Sequence, residues 1–453
     1  MLGLDFKALA RDQIARGGIG WLLAAMMVLS LGHSVWPGVP IWLAGAASWL
    51  AALALWPWVA PNQRRQVVAL CALGLGGVAW SAREGASVDW LALFTQNHQI
   101  LAMLAAVSFL KLIYQPARDE VAGHARGRGA FVRTMLGLNL FGAAINISAM
   151  TIVGDRLARQ APGGSSGALL DRRTTLLLCR AFSSAVFYSP FIGGMALALS
   201  YAPAARLPVV MSFGIPLALF GLWYVYRDAQ RAGPGALDDF DGYPVRFESL
   251  SIPGVLALGV MLVHAVAPGL PVLAIVTGLA PLVVLAALLA RRGPRACFVE
   301  LTRHVGAGLP AMGGELVLFL GAGIMAVGVA GAFSALSVQL PFSSFSASAA
   351  SGVLAASLVT SFLGVHPVVA VTVLAALVAP LEPDPNLLVM TFVAAWGIGC
   401  AVNPFSGITL TLQGRYGADA WSFPRWNFVY GLVMFAAASV LLHAYEWARQ
   451  LSA

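Results

Sequence analysis

This sequence predicts an all-α polytopic membrane protein, with about eleven spanning helices, two re-entrant hairpins and two broken helices in an inverted-topology repeat. Three observations lead there. Of 453 residues, 59% are hydrophobic and 10% charged, against roughly 25% charged in an ordinary soluble protein; mean hydropathy is +0.81. The apolar residues form continuous runs near the ~20 residues that a helix needs to cross ~30 Å of hydrocarbon. Finally, the pattern [Ser/Asn]-Pro-Phe-x-Gly occurs in the middle of two such runs, at 189–193 and 403–407.

The composition excludes a soluble enzyme, a disordered chain and a nucleic-acid binder. Without period-two alternation, the runs do not describe a β-barrel. The net charge of +8 reflects topology rather than an acidic partner, since the cations gather in loops on one side. Cys71, Cys179, Cys297 and Cys400 are far apart and give neither a C-x-x-C motif nor a disulfide framework. The first residues, MLGLDFKALARDQIARGG, lack a cleavage motif and read as a cytoplasmic tail.

The spans run in order 19–36, 39–59, 66–82, 97–114, 174–200, 208–226, 251–268, 271–290, 314–333, 387–412 and 428–446. Arginines 64 and 65, 118, 126, 128 and 133, 227 and 231, 291, 292 and 295, and 415 and 425 follow alternate spans. A cytoplasmic N-terminus and an external C-terminus satisfy that alternation. Segment 133–154 has arginine clusters on both flanks, the second being Arg156, Arg159, Arg172 and Arg173. Only a hairpin that enters and leaves on the cytoplasmic side keeps both clusters inside. Segment 342–380 is too long for one helix, its flanks at Leu340-Pro341 and 380–386 lack cations, and Gly364 and Pro367 break its middle. It reads as a hairpin entering from outside. Irregular backbone at such depth needs protein or a water cavity around it.

The order span, hairpin, broken span, span then occurs twice, starting from opposite sides. This divides the chain into N-terminal scaffold helices (1–96), repeat 1 (97–226), a linker with scaffold helices (227–313) and repeat 2 (314–453), with 201–290 mostly scaffold. Inverted repeats with midplane sites at broken helices are a design of secondary transporters. Pro190 and Pro404 remove a backbone donor and break their helices. The exposed N-terminal half-helix ends favour anions, and C-terminal ends and loop carbonyls can hold a cation. The polar residues near these features are Asn146 and Ser148 at the first tip, Ser183, Ser184 and Ser189 at the first break, Thr360, Ser361 and His366 at the second tip, and Asn403, Ser406 and Thr409 at the second break.

With its eleven spans, opposed hairpins and terminal orientations, the chain resembles the ion transporter superfamily, and within it the divalent anion:sodium symporters, over residues 97–446. The resemblance implies an inner-membrane secondary transporter of a small anion (an organic carboxylate or oxyanion), homodimeric, with elevator-type alternating access. By position it implies substrate at Asn146, Ser148, His366, Asn403 and Ser406, to which the polar residues at the breaks add Ser189 and Thr409, with Na⁺ expected near Asn146, Ser189 and Asn403. The Ser-Asn-Thr triplets that mark the tips in that branch are missing here. No cofactor is expected beyond a coupling ion, Na⁺ or H⁺, and no nucleic-acid partner. Export of another cargo (metalloid, lipid-linked precursor or drug) is the alternative. An integral-membrane enzyme would need a metal motif or paired Asp, and a channel would need a filter sequence or charged ring; neither is found.

His366, before Pro367 in a tip, is the strongest single candidate, since imidazole can switch protonation or donate to a carboxylate. Arg180 and Lys111 read as snorkelling or structurally bonded cations, and Glu315 as an acid at a helix start. His264 and His443 are given no role. The acidic stretch with Asp228, Asp238, Asp239, Asp241 and Glu248 reads as a solvated linker. Residues 296–306 read as an amphipathic surface helix.

Overall fold

The computed structural model describes residues 6–85, 88–113, 126–160, 169–231, 233, 235–243, 251–336 and 341–452. Arg118, Leu340 and Glu248 lie outside them. Helices are the only regular elements among the described residues: α1 (Phe6–Val35), α2 (Ile41–Leu55), α3 (Pro61–Arg83), α4 (Trp90–Thr95), α5 (His98–Ser108), α6 (Arg128–Ile145), α7 (Ile147–Gln160), α8 (Arg172–Ala185), α9 (Gly193–Tyr201), α10 (Leu207–Gln230), α11 (Ser251–Val266), α12 (Val272–Arg303), α13 (Gly313–Leu336), α14 (Ala347–Phe362), α15 (Pro367–Val378), α16 (Pro385–Val402), α17 (Gly407–Tyr416), α18 (Ser422–Trp426) and α19 (Phe428–Ser452). Eight segments among the described residues are long and apolar enough to cross a membrane. The protein is a polytopic helical membrane protein.

The chain packs as two units: residues 1–114 with 258–339, and residues 115–257 with 340–453. This is a division by contact rather than by repeat. It puts α10 in the second unit.

In the first unit, α3 and α13 run parallel at close approach. A Cβ on Gly328 would lie 1.8 Å from the Gly74 carbonyl oxygen, and one on Gly77 would lie 2.3 Å from that of Gly328. Small residues permit such contact where lipid supplies no hydrophobic drive between helices. The fourth span starts at Asn97, whose φ of 66 separates the short α4 from α5, and α5 passes into a 3₁₀ turn at Phe109–Leu112. The surface helix predicted at 296–306 is the end of α12, bent from the rest at Gly293, with φ 78 and ψ 170.

In the second unit, α6 and α7 form a helical hairpin. Its turn is the single residue Asn146, at φ 58 and ψ −147, a backbone conformation outside the left-handed helical region and ordinarily left to glycine. The start of α6 is tied to the 235–243 loop by Arg126 on Asp241 (2.6 Å) and Arg128 on Asp238 (3.3 Å). The Asp241 hydrogen bond and charge hold Arg126 above its ordinary pKa. The second half of α7 meets the last turn of α17 through Asp155 and Arg415. Leu169, ahead of α8, lies against Gly417, and Arg173 donates to the Ala236 carbonyl. Both ends of this hairpin, the start of α8 and the end of α17 therefore gather at one end of the unit.

The second hairpin, α14–α15, opens to the other end. Ser348, on its first arm, meets His443 (3.3 Å). Past its second arm, Asp384 and Asn386 bond Tyr445 at 2.9 and 3.2 Å. Between the two ends, α8 and α16 pack antiparallel, with Cys179 Sγ 3.8 Å from the Ala401 carbonyl and Gly397 against Phe187.

Candidate functional site

Both predicted helix breaks are present. From Val186 to Tyr188 the chain leaves α8 through tight i→i−3 bonds, and α9 restarts at Gly193 after Ile192, which supplies no side-chain cap. At the other break, Asn403 is extended (φ −83, ψ 129), as a residue before proline prefers. Ser406 then caps α17 by accepting from Thr409 N at 3.2 Å.

One bonding scheme serves both breaks. Ser189 Oγ accepts from Phe191 N (3.1 Å) and donates to the Ala143 carbonyl of the first hairpin (2.5 Å). Asn403 Oδ1 accepts from Phe405 N (2.7 Å), and its Nδ2 donates to the Ser361 and Val365 carbonyls of the second hairpin at 2.9 and 2.7 Å. Each is a side chain closing a turn over its own backbone two residues on. The shared pattern is thus a turn that stops a helix and fastens the stop to the hairpin of the same repeat.

The predicted residues separate into committed and open groups. Asn403, Ser406, Thr409 and Ser189 are buried. Ser406 Oγ donates to the Cys400 carbonyl (2.8 Å), and Thr409 Oγ1 to the Asn403 carbonyl (2.8 Å). These four side chains are held by protein partners. At the first tip, Asn146 Oδ1 accepts from Ile147 N (2.9 Å). Asn146 Nδ2 and Ser148 Oγ have no partner among the described residues, and both residues are half-buried. His366 caps α15, its Nδ1 accepting from Val368 N at 3.2 Å. Its ring meets Trp396 edge-on at 6.0 Å, and Nε2 stays open among the described residues.

The tips and breaks adjoin through a short series of contacts. Ile147 touches Gly407, Gly364 packs on Phe405, and Trp396 beside His366 also fills the space over Gly194. Ser183 and Ser184 fold back onto the Arg180 carbonyl. Arg180 is structural: it donates to Asn427 Oδ1 (2.7 Å), Asp228 Oδ2 (2.6 Å) and the Trp426 carbonyl (2.9 Å), under the ring of Tyr430 at 4.9 Å. No group of three His, Cys, Asp or Glu side chains able to hold a metal occurs among the described residues.

Two further connections escaped the sequence reading. Arg415 grips Asp155 with two bonds (2.7 and 2.5 Å), and the Tyr416 hydroxyl donates to the same carboxylate at 2.9 Å. Tyr201, at the end of α9, donates to Thr372 Oγ1 of α15 at 3.0 Å. The second half of each broken helix is therefore latched to the second arm of the opposite repeat's hairpin, by an ion pair at one end and hydroxyls at the other. Ordinary residue types more than 150 positions apart give no local signal of such pairing.

The chain matches no protein-family model and no curated protein. Among solved structures it is similar to the crystal structure of the Alcanivorax borkumensis YdaH transporter, at 15% identity over 84% of each chain and a TM-score of 0.40. At that score the likeness does not bear on function.

Proposed function

We infer that this protein is a secondary active transporter of a small anion (an organic carboxylate or an oxyanion) in the inner membrane. The observation carrying this reading is the pair of oppositely opening hairpins, each fastened at its tip to a [Ser/Asn]-Pro-Phe-x-Gly helix break by the same bonding scheme. In a membrane such hairpins are re-entrant, and their tips bring open polar groups to mid-depth from both sides, as alternating access requires. Asn146 Nδ2, Ser148 Oγ and His366 Nε2 are the groups left to meet substrate, while Ser189, Asn403, Ser406 and Thr409 shape the site and contribute backbone. Coupling to Na⁺ or H⁺, elevator-type movement and a homodimer belong to the same proposal, on the resemblance to the divalent anion:sodium symporters.

A second reading, export of another cargo on this architecture, draws on the commitment of Arg180 to protein partners, which leaves the tips without its charge. One experiment separates the two: uptake of a panel of labelled anions into proteoliposomes, with and without Na⁺ and pH gradients. Movement of a carboxylate or oxyanion under one gradient is expected. Failure of every anion under every gradient refutes anion transport. His366→Asn preserves an acceptor for Val368 N and removes Nε2. It should lower uptake at least tenfold in protein that still inserts and runs as a single species.

A further inference from the structure

The bend in α12 leaves an amphipathic segment with one anchored face and one bare one. Beyond Gly293 a new helical run starts at Pro294 and reaches Arg303. Its inner side is fixed to the first unit: Cys297 is buried, and His304, just past the run, holds Ser108 Oγ at 2.8 Å and lies against Phe109. Arg292, ahead of the bend, pairs with Glu300 beyond it and so sets the angle between the two runs. The outer side carries Arg295, Phe298 and Val299 at i, i+3, i+4 spacing, which places them on one helical face. Phe298 is 69% exposed and Val299 47%. Arg291, Arg295 and Arg303 are exposed too, and none has an ion-pair partner among the described residues.

We propose that this segment binds an anionic phospholipid, its phosphate held by Arg291 and Arg295 and an acyl chain lying along Phe298 and Val299. A helix with basic and apolar side chains on its free side lies in the membrane interface, where it meets headgroups and upper acyl chains together. Guanidinium groups match phosphate oxygens with paired hydrogen bonds, more specifically than an ammonium can. A zwitterionic lipid would cover Phe298 and leave three cations uncompensated. A soluble polyanion would neutralise the cations and leave Phe298 in water. An anionic lipid does both, and basic side chains at the membrane surface favour such lipids.

The site rests only on membrane insertion and is independent of what the protein carries. The full-length protein, delipidated in detergent, is exposed to photoactivatable phosphatidylglycerol or phosphatidylcholine, and the crosslinked peptides are mapped. Phosphatidylglycerol should label 291–303 in preference to phosphatidylcholine. Arg291→Gln with Arg295→Gln should weaken phosphatidylglycerol binding about 25-fold, at about fivefold per arginine. Phe298→Ser, which preserves every charge, should also weaken it. A control removing two exposed arginines elsewhere, Arg65→Gln with Arg133→Gln, should leave it unchanged. Equal labelling by both lipids, full binding in the 291/295 variant, or equal loss in the control would each overturn the proposal.

Discussion

At the scale of single residues, position before a proline turns two different side chains to one task. Ser189 and Asn403 each close a turn and reach into a hairpin. Truncating Asn403 would strip its donors from the Ser361 and Val365 carbonyls at a fully buried position. A buried polar group left unpaired costs about 1–3 kcal/mol, so Asn403→Ala should destabilise the protein by about 2–4 kcal/mol, read as a lower midpoint of thermal unfolding in detergent. Asn403→Ser, which imports the first repeat's solution, should recover part of that loss; no recovery would show that the two turns are not equivalent. Arg180 gives a second case. Lysine cannot reproduce its planar fork between Asn427, Asp228 and Trp426. Arg180→Lys should cost about 2 kcal/mol, and an unchanged midpoint would contradict the bonding described.

Helices pair by shape in one unit and by polar latch in the other. The α3–α13 contact depends on Gly74, Gly77 and Gly328 having no side chain. Gly328→Val would drive methyl groups into the facing backbone and should cost several kcal/mol, whereas Gly76→Val, at an open position, should be tolerated; thermal midpoints compare the two. The Asp155–Arg415 latch is part-exposed, at 20% and 50% of the side chains, so solvent screening limits it. A double-mutant cycle with Asp155→Asn and Arg415→Gln should return a coupling of about 1 kcal/mol. Zero coupling would reduce the latch to a passive surface pair.

For the whole molecule, the decisive feature is that the hairpins of the second unit open to opposite ends. Single cysteines placed at Arg133 and Arg159 should label from one side of the membrane, and cysteines at Ser348 and Glu382 from the other. Labelling of 133 and 159 from different compartments would mean that α6 and α7 cross together as one span, and alternating access through paired hairpins would fail with it.

The helical membrane class, the two helix–turn–helix segments and the two breaks were legible in the amino-acid order because each arises locally: apolar length sets the class, and a proline or a small polar stretch interrupts a helix. The nature of the site was only half legible. The residue types at the tips and breaks could be read, but not which of them are occupied. Asn403 and Asn146 look alike as letters, yet one faces hairpin carbonyls 42 and 38 residues back, while the other keeps its amide nitrogen open. Nor could the chain order reveal that Asp155 meets Arg415 or which side of the 296–306 helix is left bare. A hydrogen bond is satisfied by whatever group folding brings within about 3 Å, so the state of every buried polar atom was decided by the packing of helices distant in sequence.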